Sequence, residues 1–233
     1  MYILHIETAT SVCSVALSQD GRLLAFREQH EPNIHATKLT VFIEELLEEA
    51  HLSMANLDAV AVSKGPGSYT GLRIGVSVAK GLCYALDIPL VAVNTLDALT
   101  AGFLAEKRTG GLSTETLLSP MLDARRMEVY TALYDAQGNQ LEPTSARIID
   151  VHSFDSLLEK GKKLVLFGDG ADKLLELFAE HEAIEVVSGF KNAARYMVSP
   201  AVSCLNRQQV ENVAYFEPFY LKDFIPTTPK RAF

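Results

Sequence analysis

The residues whose types and spacing could do chemistry concentrate in one block, Ser63-Lys64-Gly65-Pro66-Gly67-Ser68-Tyr69-Thr70-Gly71-Leu72-Arg73-Ile74-Gly75. A glycine-rich turn that leaves a strand and opens a helix is where backbone N–H groups and the helix dipole hold an anion. Two known loops test the block. A P-loop needs Lys and Ser or Thr directly after its last glycine; here Leu72 and Arg73 follow Gly71. A dinucleotide fingerprint needs G-x-G-x-x-G; here the second gap is one residue too long. The spacing suits packing better. Gly71, Gly75 and Ala79 stand four apart, so they share one helix face. A face without side chains lets another element approach closely, and its cover is either an internal neighbour or a second polypeptide. Val76, Val78, Leu82 and Leu86 make the rest of the helix apolar. A helix apolar nearly all round is buried nearly all round.

Other reactive side chains are scattered. Ser68 lies in Gly67-Ser68-Tyr69-Thr70-Gly71, which is not the G-x-S-x-G elbow. A Ser–His–Asp triad built from distant positions stays open, because triads are defined by geometry. His5, His30, His35, His51, His152 and His181 show no ligand spacing, and Leu39 stands four residues after His35. One imidazole does not make the two-ligand helix face from which a metal site starts. Cys13, Cys83 and Cys204 are odd in number and far apart, which fits buried thiols in a reducing compartment.

The elements that must position these residues fall into two similar halves. Ile3-Leu4-His5-Ile6, Val12-Cys13-Ser14-Val15-Ala16-Leu17 and Leu23-Leu24-Ala25-Phe26 read as three strands, with Asp20-Gly21 a hairpin turn. Leu39, Phe42, Ile43, Leu46, Leu47 and Ala50 give helical spacing. A strand at Ala59–Ser63, a helix over 71–86, a strand at Leu90–Val93 and a helix from Thr95, expected as its N-cap, to about Lys107 complete the first half. Residues 109–114 lack periodicity and are expected to link the halves. Leu117–Asp123, Glu128–Tyr134 and the Gln137-Gly138-Asn139 hairpin then repeat the opening. Leu164-Val165-Leu166-Phe167 runs into Gly168-Asp169-Gly170 and an expected helix. A duplicated βββ-αβα unit predicts two α/β lobes, residues 1–108 and 109–233.

Bulk properties limit the function classes. The 233 residues are 48% hydrophobic and 21% charged, an ordinary soluble globular balance. No run approaches the roughly 20 apolar residues of a membrane helix, and Met1-Tyr2-Ile3-Leu4-His5-Ile6-Glu7 lacks the basic start of a signal peptide. The net charge is −8, which disfavours strong direct binding to RNA phosphates.

Several motifs together carry a family resemblance. The opening Ile3–Thr10, the block from Gly65 to Gly75 with Val78-Ala79-Lys80-Gly81-Leu82, Asp123-Ala124-Arg125 with Glu128-Val129-Tyr130, and Glu217-Pro218-Phe219-Tyr220-Leu221 resemble the TsaB (YeaZ) family. The resemblance implies an α/β actin-like/hexokinase/Hsp70-type (ribonuclease H-like) fold in two lobes, and leaves open whether residues after about Asn206 pack back on the first, as the final helix does in some relatives. It implies a cytoplasmic, non-catalytic scaffold that pairs with the catalytic relative TsaD and the ATPase TsaE, and also with itself. Together these proteins place threonylcarbamoyl on adenosine 37 of tRNAs reading codons that begin with A, so tRNA is met indirectly and no membrane is involved. Carried over, the docking helices are 36–50 and 71–86, with His35, Leu39, Phe42, Leu46, Gly71, Arg73, Gly75, Val78, Ala79 and Leu82 at the interface. No cofactor or metal is implied. Glu7, Thr8 and Asp123 are a candidate degenerate ATP or ADP site, and the alternative is a nucleotide switch or glycoprotease-like peptidase using the interlobe cleft.

Overall fold

The computed structural model describes residues 1–31, 33–107 and 111–222; the start of the expected link, Thr109-Gly110, lies outside them. The first half runs β1 (Tyr2–Glu7), β2 (Val12–Gln19), β3 (Arg22–His30), α1 (His35–Glu49), β4 (Ala59–Gly65), α2 (Tyr69–Leu86), β5 (Leu90–Asn94) and α3 (Thr95–Lys107). The second runs β6 (Thr116–Asp123), β7 (Glu128–Tyr134), β8 (Gln140–Ile148), α4 (Asp155–Leu158), β9 (Lys163–Phe167), β10 (Ile184–Val187) and α5 (Val198–Asn206).

The two sheets have one topology. The first is ordered β3-β2-β1-β4-β5, and the second, read from its other edge, β8-β7-β6-β9-β10. In both, the first three strands pair antiparallel and the last two join parallel. This duplicated mixed sheet with helical cover is the actin-like α/β architecture.

Strand alternation divides the first lobe's core. Leu4 and Ile6 face the layer made by α1 and α2, with Leu39, Phe42, Ile43, Leu46, Val76 and Ala79. Ile3 faces the other side, against Met197 and Ala201 near the end of the chain. The lobes therefore exchange cover. α5 lies on the first sheet, while Leu96, Leu99 and Phe103 of α3 pack with Leu118, Leu122 and Phe167 of the second lobe. Beyond α5 the chain stays on the first lobe. Glu211 bridges Leu90, and the Lys80 ammonium donates to the Ala214 and Phe216 carbonyls.

Two local expectations are corrected. After Gly168-Asp169-Gly170 there is no α-helix, only a 3-10 turn at Asp172–Leu174. Asp172 instead accepts the Gly189 N–H at 2.8 Å, and turns deliver Leu174 and Phe178 to the core. The cap of α3 is Asn94, whose Oδ1 accepts the Leu96 N–H at 2.8 Å; the Thr95 hydroxyl is buried without a partner.

Candidate functional site

The sharp turn between β4 and α2 brings the helix down onto the β1–β2 connection. Ser68 caps α2 by accepting the Gly71 N–H at 3.2 Å, and its own N–H donates to the Ala9 carbonyl at 2.6 Å. A Cβ on Gly71 would meet the Thr8 carbonyl oxygen at 2.1 Å, and one on Gly75 would meet Thr8 Oγ1 at 2.2 Å. Ala79 is fully buried in the same core. The row Gly71–Gly75–Ala79 is therefore sealed inside the lobe, with the β1 end as its cover. That corrects its reading as a docking surface: atoms already in contact with Thr8 have no area left for a partner.

The inner faces of both helices account for more of the expected interface. His35, Leu39, Phe42 and Leu46 are buried beneath α1, because the apolar spacing that marks an amphipathic helix marks the side facing its own core. Arg73 is exposed, and Val78 and Leu82 are half-buried. The outward stripe of α2 is Thr70, Arg73, Ser77, Gly81 and Tyr84. Tyr84 is 84% exposed, and a Cβ added to Gly81 would meet nothing within 4 Å. Ser77, Gly81 and Ala85 form a second small row, also at four-residue spacing. Its four-residue spacing is the same as that of the inner row, so spacing alone does not distinguish the two.

Between the lobes lies a cleft of about 770 Å³, walled by Thr10, Ser68 and Tyr69 from one lobe and Asp123, Arg125 and Asp169 from the other. Asp123 accepts from the Lys173 ammonium at 2.6 Å and the Arg125 N–H at 2.9 Å. Burial pushes the Asp169 carboxyl up to about 6. Glu7 and Thr8 are fully buried and absent from the cleft wall, so the structure does not bring them together with Asp123. The Glu7 carboxylate is enclosed by donors: the Ala9 N–H at 2.6 Å, the Ser63 hydroxyl at 3.0 Å and the Asn192 amide at 2.6 Å. Ser68 is occupied as a cap, and the His35 ring nitrogen donates to the Val12 carbonyl at 3.2 Å. Among the described residues no group of three or more His, Cys, Asp or Glu is placed to hold a metal, and no helix is long and apolar enough to cross a membrane.

Glu7 shares its face of β1 with His5, also fully buried. Burial pushes Glu7 up from 4.5 to about 7 and His5 down from 6.5 to about 3. The signs oppose. A raised carboxyl favours the folded state at low pH, an advantage lost as pH rises from 4.5 to 7; a depressed imidazole costs stability as pH falls below 6.5. Between those limits the native chain carries its proton on Glu7 and the unfolded chain on His5, so the pair largely cancels. Glu7→Gln removes one side. Between pH 7 and pH 5 the variant is expected to lose about 2 kcal/mol more stability than the wild type, read from urea denaturation at both pH values.

Comparison with known proteins places this geometry. The profile of the family described as "TsaD: tRNA N6-adenosine threonylcarbamoyltransferase" matches residues 32–224. The Bacillus subtilis tRNA threonylcarbamoyladenosine biosynthesis protein TsaB is 33% identical over 170 residues, covering 72% of this chain and 71% of that protein. Escherichia coli TsaB is 30% identical over 230 residues, covering 96% and 95%. Among solved structures, YeaZ from Pseudomonas aeruginosa superposes with a TM-score of 0.76 at 28% identity, covering 94% of this chain and 99% of that one. A second Pseudomonas aeruginosa structure, described as similar to the peptidase YeaZ, gives 0.77 at 26% identity, covering 95% and 99%. The chain belongs to the TsaB (YeaZ) family.

Proposed function

We propose that this chain is a non-catalytic scaffold of tRNA threonylcarbamoyladenosine synthesis in the cytoplasm. It docks a TsaD-type catalytic paralogue and a TsaE-type ATPase, so that threonylcarbamoyl reaches adenosine 37 of tRNAs reading codons that begin with A. The observation that carries the reading is Gly81. A glycine inside a helix costs about 1 kcal/mol relative to alanine, and nothing in the chain lies within 4 Å of a Cβ there. The small Ser77–Gly81–Ala85 row beside exposed Tyr84 suits close approach by another helix, with an aromatic anchor of the kind that dominates interfaces. The docking surface is therefore the outer face of α2, with Arg73, Val78 and Leu82 retained from the expected set, and a second copy of the chain uses the same surface in a homodimer.

The non-catalytic assignment is supported by Glu7, fully buried and held by structural hydrogen bonds, and by Ser68, whose hydroxyl oxygen caps α2. The net charge of −8 suits a subunit that meets tRNA through its partners. Reconstitution with TsaD- and TsaE-type proteins, scored by modified adenosine, tests the role. Product should require this chain, and Ser68→Ala and Asp123→Ala should preserve it. An ATP- or ADP-binding switch is the second reading, favoured by the cleft volume, which falls in the range of small-molecule sites. Saturable calorimetric heat with ADP, lost in Asp123→Ala, would support the switch over a purely structural cleft.

A further inference from the structure

The segment that closes the described chain crosses the cleft mouth from one lobe to the other. On the first lobe, the Phe219 N–H donates to the Lys64 carbonyl at 2.6 Å. The Tyr220 ring lies 4.9 Å from that of Tyr69, and the Tyr220 hydroxyl accepts from Arg73 Nε at 3.2 Å. Arg73 also sits over Tyr69, 4.2 Å from the ring centre. The approach is close enough that a Cβ on Gly65 would meet the Phe219 carbonyl oxygen at 2.6 Å. On the second lobe the hold is different. Lys222 pairs with Glu128 and stands 5.9 Å from the centre of the Tyr130 ring. Phe219, Tyr220, Leu221 and Lys222 all line the cleft.

We infer that residues 217–222 are a strap that ties the lobes together across the cleft and is released from the docking face through Arg73. The two grips are unequal. The first combines a backbone hydrogen bond, a ring pair and a guanidinium. The second is one part-exposed ion pair with the same ammonium at the outer reach of the Tyr130 ring, contacts that hold weakly in water. The strap therefore stays on the first lobe and lets go of the second first. Arg73 connects this latch to the surface, because it is exposed on the outer stripe of α2 while its Nε holds Tyr220. A carboxylate on a docked helix that takes the guanidinium removes it from Tyr220, so the first grip slackens as well and the strap no longer holds Lys222 against Glu128 across the cleft. Docking and cleft opening are thereby coupled. The coupling rests on the docking reading above, whereas the strap itself does not.

Spin labels on the full chain test both parts. Thr40→Cys in α1 and Glu180→Cys in the second lobe carry the labels, in a Cys204→Ser background. The wild-type strap should give one narrow distance. Lys222→Ala and Tyr220→Ala should each add a second population more than about 2 Å longer, the scale of a real rearrangement, with circular dichroism unchanged. Tyr220→Phe keeps the ring pair and loses only the hydroxyl bond to Arg73, so it should fall between. Identical distributions in all four chains would overturn the strap. With the TsaD-type paralogue bound, the wild-type chain should show the longer population, and a co-eluting complex with the narrow distance would overturn the coupling. Failure to co-elute would contradict the docking reading and the coupling with it, while the isolated variants still decide the strap.

Discussion

Gly75→Leu is expected to destabilise the chain by on the order of 3 kcal/mol or more, and to lose docking only in proportion to the protein that fails to fold. The hydrogen that serves as the Gly75 side chain points at Thr8, and even a single added carbon would lie 2.2 Å from the Thr8 hydroxyl oxygen. Leucine adds three more carbons to a site with no free volume, so either α2 lifts from β1 or the β1–β2 turn is displaced. Both movements disturb Ser68, whose N–H and hydroxyl join that turn to the helix start. Urea denaturation measures the loss directly. A Gly75→Leu chain of undiminished stability that no longer co-elutes with its partner would restore the inner row as a docking surface.

Gly81→Arg is expected to do the opposite. Replacing a glycine inside a helix raises helix propensity by up to about 1 kcal/mol, and the new side chain meets open space. Thermal stability should hold or rise slightly. Docking should fall by about 100-fold or more, because a bulky charge placed where two helix backbones approach opposes burial at the centre of the contact. Tyr84→Ala should weaken the same complex by about 2 kcal/mol, as an exposed aromatic anchor does, again with normal stability. Both effects are read from titration of the labelled paralogue into folded variants. The pair Gly75 and Gly81 thus separates what a glycine does inside a lobe from what one does at a boundary.

Much of the fold was legible because local signals carry it. Apolar runs marked β1, β2, β4 and β6, the Asp20-Gly21 turn marked a hairpin, and three- and four-residue apolar steps marked α1. The order of these elements repeats, and the two sheets repeat with it. The cap of α3 was within reach, since Asn94 is as good a capping type as Thr95 and stands one residue earlier. The interface was less legible for a physical reason. Spacing reveals that α2 has two small-residue rows, 71-75-79 and 77-81-85, but it does not say which row meets the β1–β2 turn some sixty residues upstream. Apolar content then favours the inner side, because the strongest stripe is the one that faces the core. Glu7 failed in a related way. A strand-end acid in sequence gives no sign that Asn192, on a segment returning from the second lobe, will close over it at 2.6 Å.

The absence of an α-helix after Gly168-Asp169-Gly170 shows the limit of element matching. Leu174 and Phe178 keep the four-residue spacing and are buried as a helix would bury them, yet turns supply that placement. The burial pattern was readable from the sequence and the backbone path was not.

The most direct test of the account compares wild-type and Gly81→Arg chains in the reconstituted threonylcarbamoylation of tRNA, with both chains verified as equally folded. Modified adenosine is expected with the wild type and nearly absent with the variant at equal protein concentration. Full modification supported by a folded Gly81→Arg chain would contradict the claim that the outer face of α2 is where this protein does its work.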